Sequence, residues 1–184
     1  MIYTHDDLVR MGRTWLSSRS PVVLTEIKGQ IEEPDVIGFN ANLKFERHAY
    51  ASSVVIECKA GRSDFKADAE KIFRRYPEKG MGTRRFFLVP EGLISLSELP
   101  ERWGLLEARG KRIRVVRQGV PFDEKDGEAE TRILVSALRR LVIPEGQHVS
   151  LQVYKYQTKC TASLTVDSEI QEEVRNESEL HVQV

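Results

Sequence analysis

Two short segments hold the residues of this sequence that could do chemistry together. One is Pro34-Asp35, at the head of the apolar run Val36-Ile37-Gly38-Phe39; the other is Glu57-Cys58-Lys59, at the end of Val54-Val55-Ile56. A strand sends alternate side chains to opposite faces, so Glu57 and Lys59 share one face while Cys58 points to the other, into the core. If 34–39 and 52–60 are neighbours in a sheet, Asp35 stands beside Glu57. Two converging carboxylates repel unless something positive lies between them. Mg²⁺ suits that position, since it takes one or two carboxylates and keeps waters and phosphate oxygens for its other places. Lys59 is then placed to touch an attacking water or a developing negative charge. A metal that activates water, two carboxylates and a lysine amount to a site for phosphodiester hydrolysis.

An acid two residues before a lysine is weak evidence alone, expected about 1.5 times by chance in this composition. The same triplet occurs elsewhere, as at Glu26–Lys28 and Asp64–Lys66. Asp64–Lys66 falls on an expected helix, where positions two apart do not face each other. Glu26–Lys28 has no Pro-Asp upstream. Glu57–Lys59 alone follows an apolar strand and has a Pro-Asp strand 22 residues earlier. The plain alternative is a pair of solvent-facing acids near a strand end.

These residues need a scaffold, and the hydrophobic pattern supplies one. Residues 5–18 read as a helix with Thr4 as N-cap, Asp7 in a variant capping box, and Leu8, Met11 and Trp15 as its apolar stripe. Strand-like runs follow at 21–29, 34–40 and 52–60, with 41–51 a loop or irregular hairpin arm. Residues 63–76 read as a second helix, with Phe65, Ala69, Ile72, Phe73 and Tyr76 inward. Strands at 84–90 and 111–118 and a helix at 127–143 follow, with a turn-rich bridge through Pro100 and Trp103. The order αβββαββα specifies an α/β fold with a mixed central sheet flanked by helices. Beyond Pro144 the period changes to two, giving a β-hairpin over 149–166. The expected division is therefore a domain at 1–144 and a β-rich acidic extension at 145–184.

The bulk numbers exclude little and permit this scheme. The 184 residues carry 28 basic and 28 acidic side chains, so local patches rather than net charge decide any attraction to a polyanion. From Lys59 to Arg85 nine basic residues face four acids, whereas residues 167–184 carry six acids and one arginine. The stripe Asp64, Asp68, Lys71 and Arg75 is either a salt-bridged solvent face or the flank of the site, with Lys71 and Arg75 on phosphates. Arg62, Arg84 and Arg85 could extend that surface. Two cysteines 102 positions apart build no disulfide scaffold or zinc framework, and four scattered histidines lack metal-ligand spacing. Trp15 and Trp103 read as packing residues. With no apolar leader or membrane-length run, the expectation is a soluble, cytoplasmic chain with no membrane partner.

The segment PDVIGF followed by VVIECKAGRSDFKAD resembles the restriction-endonuclease-like PD-(D/E)XK nuclease superfamily. Within it the chain is similar to small bacterial and phage proteins, some associated with DNA repair, whose E-x-K strand precedes an S-x-x-D-F-x-x-D-type helix. The resemblance spans roughly residues 4–118. It implies a Mg²⁺- or Mn²⁺-dependent nuclease acting on DNA, with Asp35 and Glu57 as metal ligands and Lys59 as the catalytic lysine. It also implies a metal contact from the Cys58 backbone carbonyl and an additional acid, for which Glu26 is the candidate with Asp7 behind it. The Gly-Phe-rich N-terminal motif of the junction-resolving branch is missing. Rival readings are a nuclease-fold protein that binds nucleic acid without cutting, a subunit of a larger DNA-processing assembly, or an interaction protein forming a homodimer through the C-terminal hairpin.

Overall fold

The computed structural model describes residues 2–28, 32–39 and 52–140. Those up to Ser136 belong to one compact unit. The stretch 41–51, the boundary at 144, the 149–166 hairpin and the acidic tail lie outside the described residues.

Helix α1 (His5–Ser17) begins where the sequence places it. The Thr4 hydroxyl accepts from the Asp7 N–H and the Asp7 carboxylate accepts from the Thr4 N–H, closing the capping box. Its fully buried stripe is Leu8, Gly12 and Leu16, with Met11 and Trp15 packed at the flanks.

Among the described residues six strands form one sheet in sequence order: β1 (Val22–Thr25), β2 (Val36–Phe39), β3 (Ser53–Cys58), β4 (Arg84–Pro90), β5 (Gly104–Arg109) and β6 (Arg112–Arg117). β1, β2 and β3 are antiparallel neighbours, β3, β4 and β5 run parallel, and β6 returns antiparallel. The result is a mixed sheet. Its centre is buried on both sides, which is why Val54-Val55-Ile56 of β3 is apolar without alternation. Val54, Ile56 and Cys58 pack with Phe86, Leu88, Leu106 and α1 on one face. On the other, Val55 joins Ile37, Met81 and Ile133, and Phe87 joins Phe65, Leu105 and Trp103. Each such fully buried apolar side chain contributes about 1.5–3 kcal/mol.

Three sequence expectations need correction. The bridge through Pro100 and Trp103 runs directly into β5, which the pattern did not announce. Leu, Glu, Ala and Arg fill it, residues with little preference for strands, and glycines bound it at both ends. Pairing with β4 and β6 overrides those local signals. The second correction concerns 63–76, which is two helices: α2 (Arg62–Asp68) and α3 (Ile72–Arg75), separated by an extended Lys71 at φ −64° and ψ 137°. The break leaves Phe65 and Phe73 buried but turns Ala69, Ile72 and Tyr76 to solvent. The last helix, α4 (Gly127–Leu138), buries Ala129, Glu130 and Ile133, while Leu138 is exposed rather than inward. Among the described residues no helix is long and apolar enough to cross a membrane.

Gly104 shows how closely β5 is held. A Cβ there would stand 2.3 Å from a Phe86 ring carbon and 2.6 Å from the Gly119 backbone nitrogen. Gly104→Ala is expected to destabilise the chain by about 1–3 kcal/mol, the usual cost of overpacking a filled core. Urea unfolding measures it. A midpoint unchanged from wild type would mean that the ring has room to move.

Candidate active site

The register of β2 on β3 decides the site. Val36 faces Ile56, so Asp35, one residue before the strand, comes level with Glu57. The Cys58 N–H donates to Asp35 Oδ2 at 2.7 Å, and His5 Nε2 at the start of α1 lies 3.3 Å from Asp35 Oδ1. Asp35 also borders a cleft of about 700 Å³ lined by Thr4, His5, Arg10, Glu26 and Lys28 among others. Burial raises the Asp35 carboxyl above its usual range, and the negative charge of Glu57 adds to the rise. The Cys58 N–H, His5 and Lys59 oppose it.

Glu57 is not the solvent-facing acid of the plain alternative. It is 1% exposed and Lys59 is 5% exposed. Lys59 Nζ lies 3.3 Å from Glu57 Oε2 and 3.1 Å from Asp68 Oδ1. Burial alone would lower the Lys59 ammonium, but Glu57 and then Asp68 more than reverse this, so its pKa is raised and it stays charged. Cys58 packs into the opposite core as the alternation requires, and burial first, then Asp35 and Glu57, pushes its thiol well up.

The helix break brings a second cation that sequence reasoning did not single out. In an unbroken helix, residues six apart lie about 240° apart around the axis. The extended Lys71 swings Arg74 back, and Arg74 Nε donates to Asp68 Oδ2 at 2.5 Å. Its guanidinium also lies 3.7 Å from Glu57 Oε1 and 3.7 Å from Glu32 Oε1, with its carbon 4.1 Å from the centre of the Trp103 ring. Lys71 Nζ completes the cluster, 2.9 Å from Asp68 Oδ1 and 3.5 Å from Glu57 Oε2. The Asp64-Asp68-Lys71-Arg75 stripe therefore splits. Asp68 is buried, whereas Asp64 is exposed and Arg75 pairs with Glu70 on the surface.

The remaining candidates are placed as follows. Glu26 borders the cleft with Asp35, on a backbone with positive φ. Asp7 is spent on the Thr4 cap and on Arg10. Arg62 pairs with Glu98 and donates to the Leu93 carbonyl, and Arg84 donates to the Gly119 carbonyl. Arg85 does not extend a basic surface, because it is fully buried and donates to the Pro77 and Gly80 carbonyls. The structure thus brings together Asp35, Glu57, Lys59 and Lys71, and leaves Arg62, Arg75 and Arg84 on other partners. Glu32 and Arg74, which the sequence did not offer, belong to the cluster. For Glu32 the sequence offered only nearness to Pro34-Asp35, which says nothing of its burial.

Among the described residues no three His, Cys, Asp or Glu side chains form a ready metal cage. The donors that could take a hard cation are the two carboxylates. Asp35 Oδ1 has the half-exposed His5 as its neighbour, and buried Glu57 Oε1 has no hydrogen-bond partner among the described residues. Two carboxylate oxygens, one beside His5 at the cleft and one 3.7 Å from Arg74, could take an ion that keeps most of its own waters.

The chain resembles a solved structure, a protein of unknown function from Silicibacter pomeroyi, with 24% identity and a TM-score of 0.50 over 80% of this chain and 97% of that one. That likeness concerns the fold. No known protein family and no curated protein matches the sequence.

Two acids of the cluster are pushed in opposite directions. Burial, with a further contribution from Glu57, raises Glu32 to about 7, although the Met81 N–H, Arg74 and Arg85 pull it down. Burial would raise Asp68 too, but the Arg74 hydrogen bond and charge and the two lysines bring it to about 2. A depressed acid stabilises the fold above its unfolded value and loses that contribution as pH falls, here from 3.8 toward about 2. A raised acid behaves oppositely: Glu32 contributes stability at low pH that is lost as pH rises from 4.5 through about 7. Glu32→Gln keeps an acceptor for the Met81 N–H and removes the titration. Relative to wild type it should gain about 3 kcal/mol between pH 4.5 and pH 8, measured by urea unfolding across that range. A difference that does not change with pH would rule this out.

Proposed function

We propose that this chain is a Mg²⁺- or Mn²⁺-dependent nuclease that hydrolyses DNA phosphodiester bonds, built on a restriction-endonuclease-like core. The observation that carries the reading is the meeting of Asp35, Glu57 and Lys59 at one end of the sheet, with Glu57 and Lys59 buried and 3.3 Å apart. A helix, three antiparallel strands, a helical crossover and a parallel fourth strand support the finer fold assignment. Bacterial or phage DNA repair, recombination or DNA processing in the cytoplasm is the setting that the motif resemblance favours.

Asp35 and Glu57, with the Cys58 backbone carbonyl, would hold the cation. When bound, the ion would supply a Lewis acid and a water of lowered pKa. The chain's own residues do the rest. Asp35 is oriented by the Cys58 N–H and borders the open cleft, the route by which a polyanion can reach the site. Glu57 is held in place by the cations around it. Lys59, kept protonated by Glu57 and Asp68, orients a water or stabilises negative charge building on the phosphate, and a charged lysine is suited to that rather than to taking a proton.

A second reading, a nuclease-fold protein that binds nucleic acid without cutting, is favoured by one observation. Lys59, Lys71 and Arg74 already surround Glu57, so its charge is compensated by the protein alone. Digestion of supercoiled, linear and single-stranded DNA with Mg²⁺ or Mn²⁺ against EDTA separates the two. Cleavage is expected with metal only, and Lys59→Ala should lower it about a hundredfold or more without weakening metal binding. Wild-type rates in that variant would remove Lys59 from the mechanism. Thermal melts give an independent check. Mn²⁺ at a hundredfold excess over its Kd should stabilise the fold by about 2.7 kcal/mol. Asp35→Asn, which keeps the acceptor for Cys58, should lose most of that shift.

A further inference from the structure

The three cations around Glu57 differ in their freedom. The side chains of Lys59 and Arg74 are only 7% and 4% exposed, whereas that of Lys71 is 39% exposed. Arg74 is clamped between Asp68 and the Trp103 ring, and Lys59 lies between Glu57 and Asp68. Lys71 sits in the break between α2 and α3, where no helical hydrogen bond depends on its side chain. Its long flexible stem lets the ammonium move without moving the backbone.

We propose that Lys71 is a tethered counter-ion of the metal-free site. Its ammonium rests on Glu57 Oε2 and Asp68 Oδ1 when no divalent cation is present, and it leaves Glu57 for a substrate phosphate when one binds. The proposal rests on the reading of Glu57 as a metal ligand.

Charge balance explains why Lys71 is the one to leave. A divalent ion on Glu57 makes an ammonium 3.5 Å from the same carboxylate redundant and repels it. Asp68 is not abandoned when Lys71 goes, because Lys59 at 3.1 Å and Arg74 at 2.5 Å remain. The departing amine moves toward solvent and is free to meet a phosphate. Metal and DNA would then bind with positive coupling, since each makes the other's place available, and linkage requires the coupling to be mutual.

The test compares the full chain with Lys71→Gln and Lys71→Arg by thermal melts across a Mn²⁺ titration in the absence of DNA. Lys71→Gln removes the competing charge and should tighten apparent Mn²⁺ binding by about tenfold, a size expected for one nearby unit charge in partly shielded surroundings. Lys71→Arg keeps the charge and should stay close to wild type. A Mn²⁺ response confined to Lys71→Gln would also support the counter-ion. A wild-type response with the same midpoint in Lys71→Gln would overturn the counter-ion while leaving the metal site standing. Absence of any response in all three proteins would overturn the metal reading and this inference together.

Discussion

Three carboxylates lie buried at one end of the sheet, and the local structure follows from the need to neutralise them. Glu32, Glu57 and Asp68 are each at most 2% exposed. An ion moved from water into a protein interior loses several kcal/mol of solvation even after relaxation, and only close opposite charge and hydrogen bonds restore it. Lys59, two residues along the same strand face, supplies part of that charge. Arg74 supplies more, and it can do so only because the chain extends at Lys71 instead of continuing α2. The broken helix, the burial of Arg74 against Trp103 and the position of Asp68 are three aspects of one solution to that problem. A strand with no task beyond packing would carry an apolar residue at position 57, which is often as stable or more so.

Arg74 is shared, and the sharing is unequal. Its Nε is 2.5 Å from Asp68, but its terminal nitrogens stand 3.7 Å from Glu32 and Glu57. Asp68 also receives both lysines, and it falls to about 2. Glu32 receives a backbone N–H and the distant edge of the guanidinium, and burial carries it to about 7. Similar acids within one cluster thus reach opposite limits because of how many donors each can hold. The cluster is asymmetric in charge, firm on the Asp68 side and poorly compensated on the Glu32 side.

Most of the scaffold could be read from local pattern. The Thr4 cap, the apolar β3 and the alternation that separates Cys58 from Glu57 and Lys59 all depend on neighbours in sequence. The pairing of Asp35 with Glu57 followed once β2 and β3 were taken as adjacent. β5 was missed because its residues have helix-like preferences and become a strand only between β4 and β6. Arg74 was missed for a related reason. A continuous helix at 63–76 puts Arg75 on the Asp68 stripe, and the bend that substitutes Arg74 is set by buried charges on other elements. Periodicity assumes an unbroken axis, and long-range ion pairing is what breaks it here. Glu32 lies in a loop without periodicity, so nothing local reveals that it is buried.

The site is graded from a closed side to an open one. Glu57, Asp68 and Arg74 are enclosed, where low polarisability strengthens each interaction and fixes each side chain. Asp35 stands at the edge, bound from behind by the Cys58 N–H and bordering the cleft with the half-exposed His5. A phosphate with its shell of water cannot enter the closed side, and the closed side has no need to admit it. In the proposed hydrolysis it would hold Glu57 and Lys59 at fixed places, so that little reorganisation is required when charge develops nearby. Asp35 and Lys71, the members with access to solvent, are then the ones left to meet what arrives. For hydrolysis of a polyanion this division is useful. Under that proposal the groups that would stay fixed are buried, and those that would exchange partners are not.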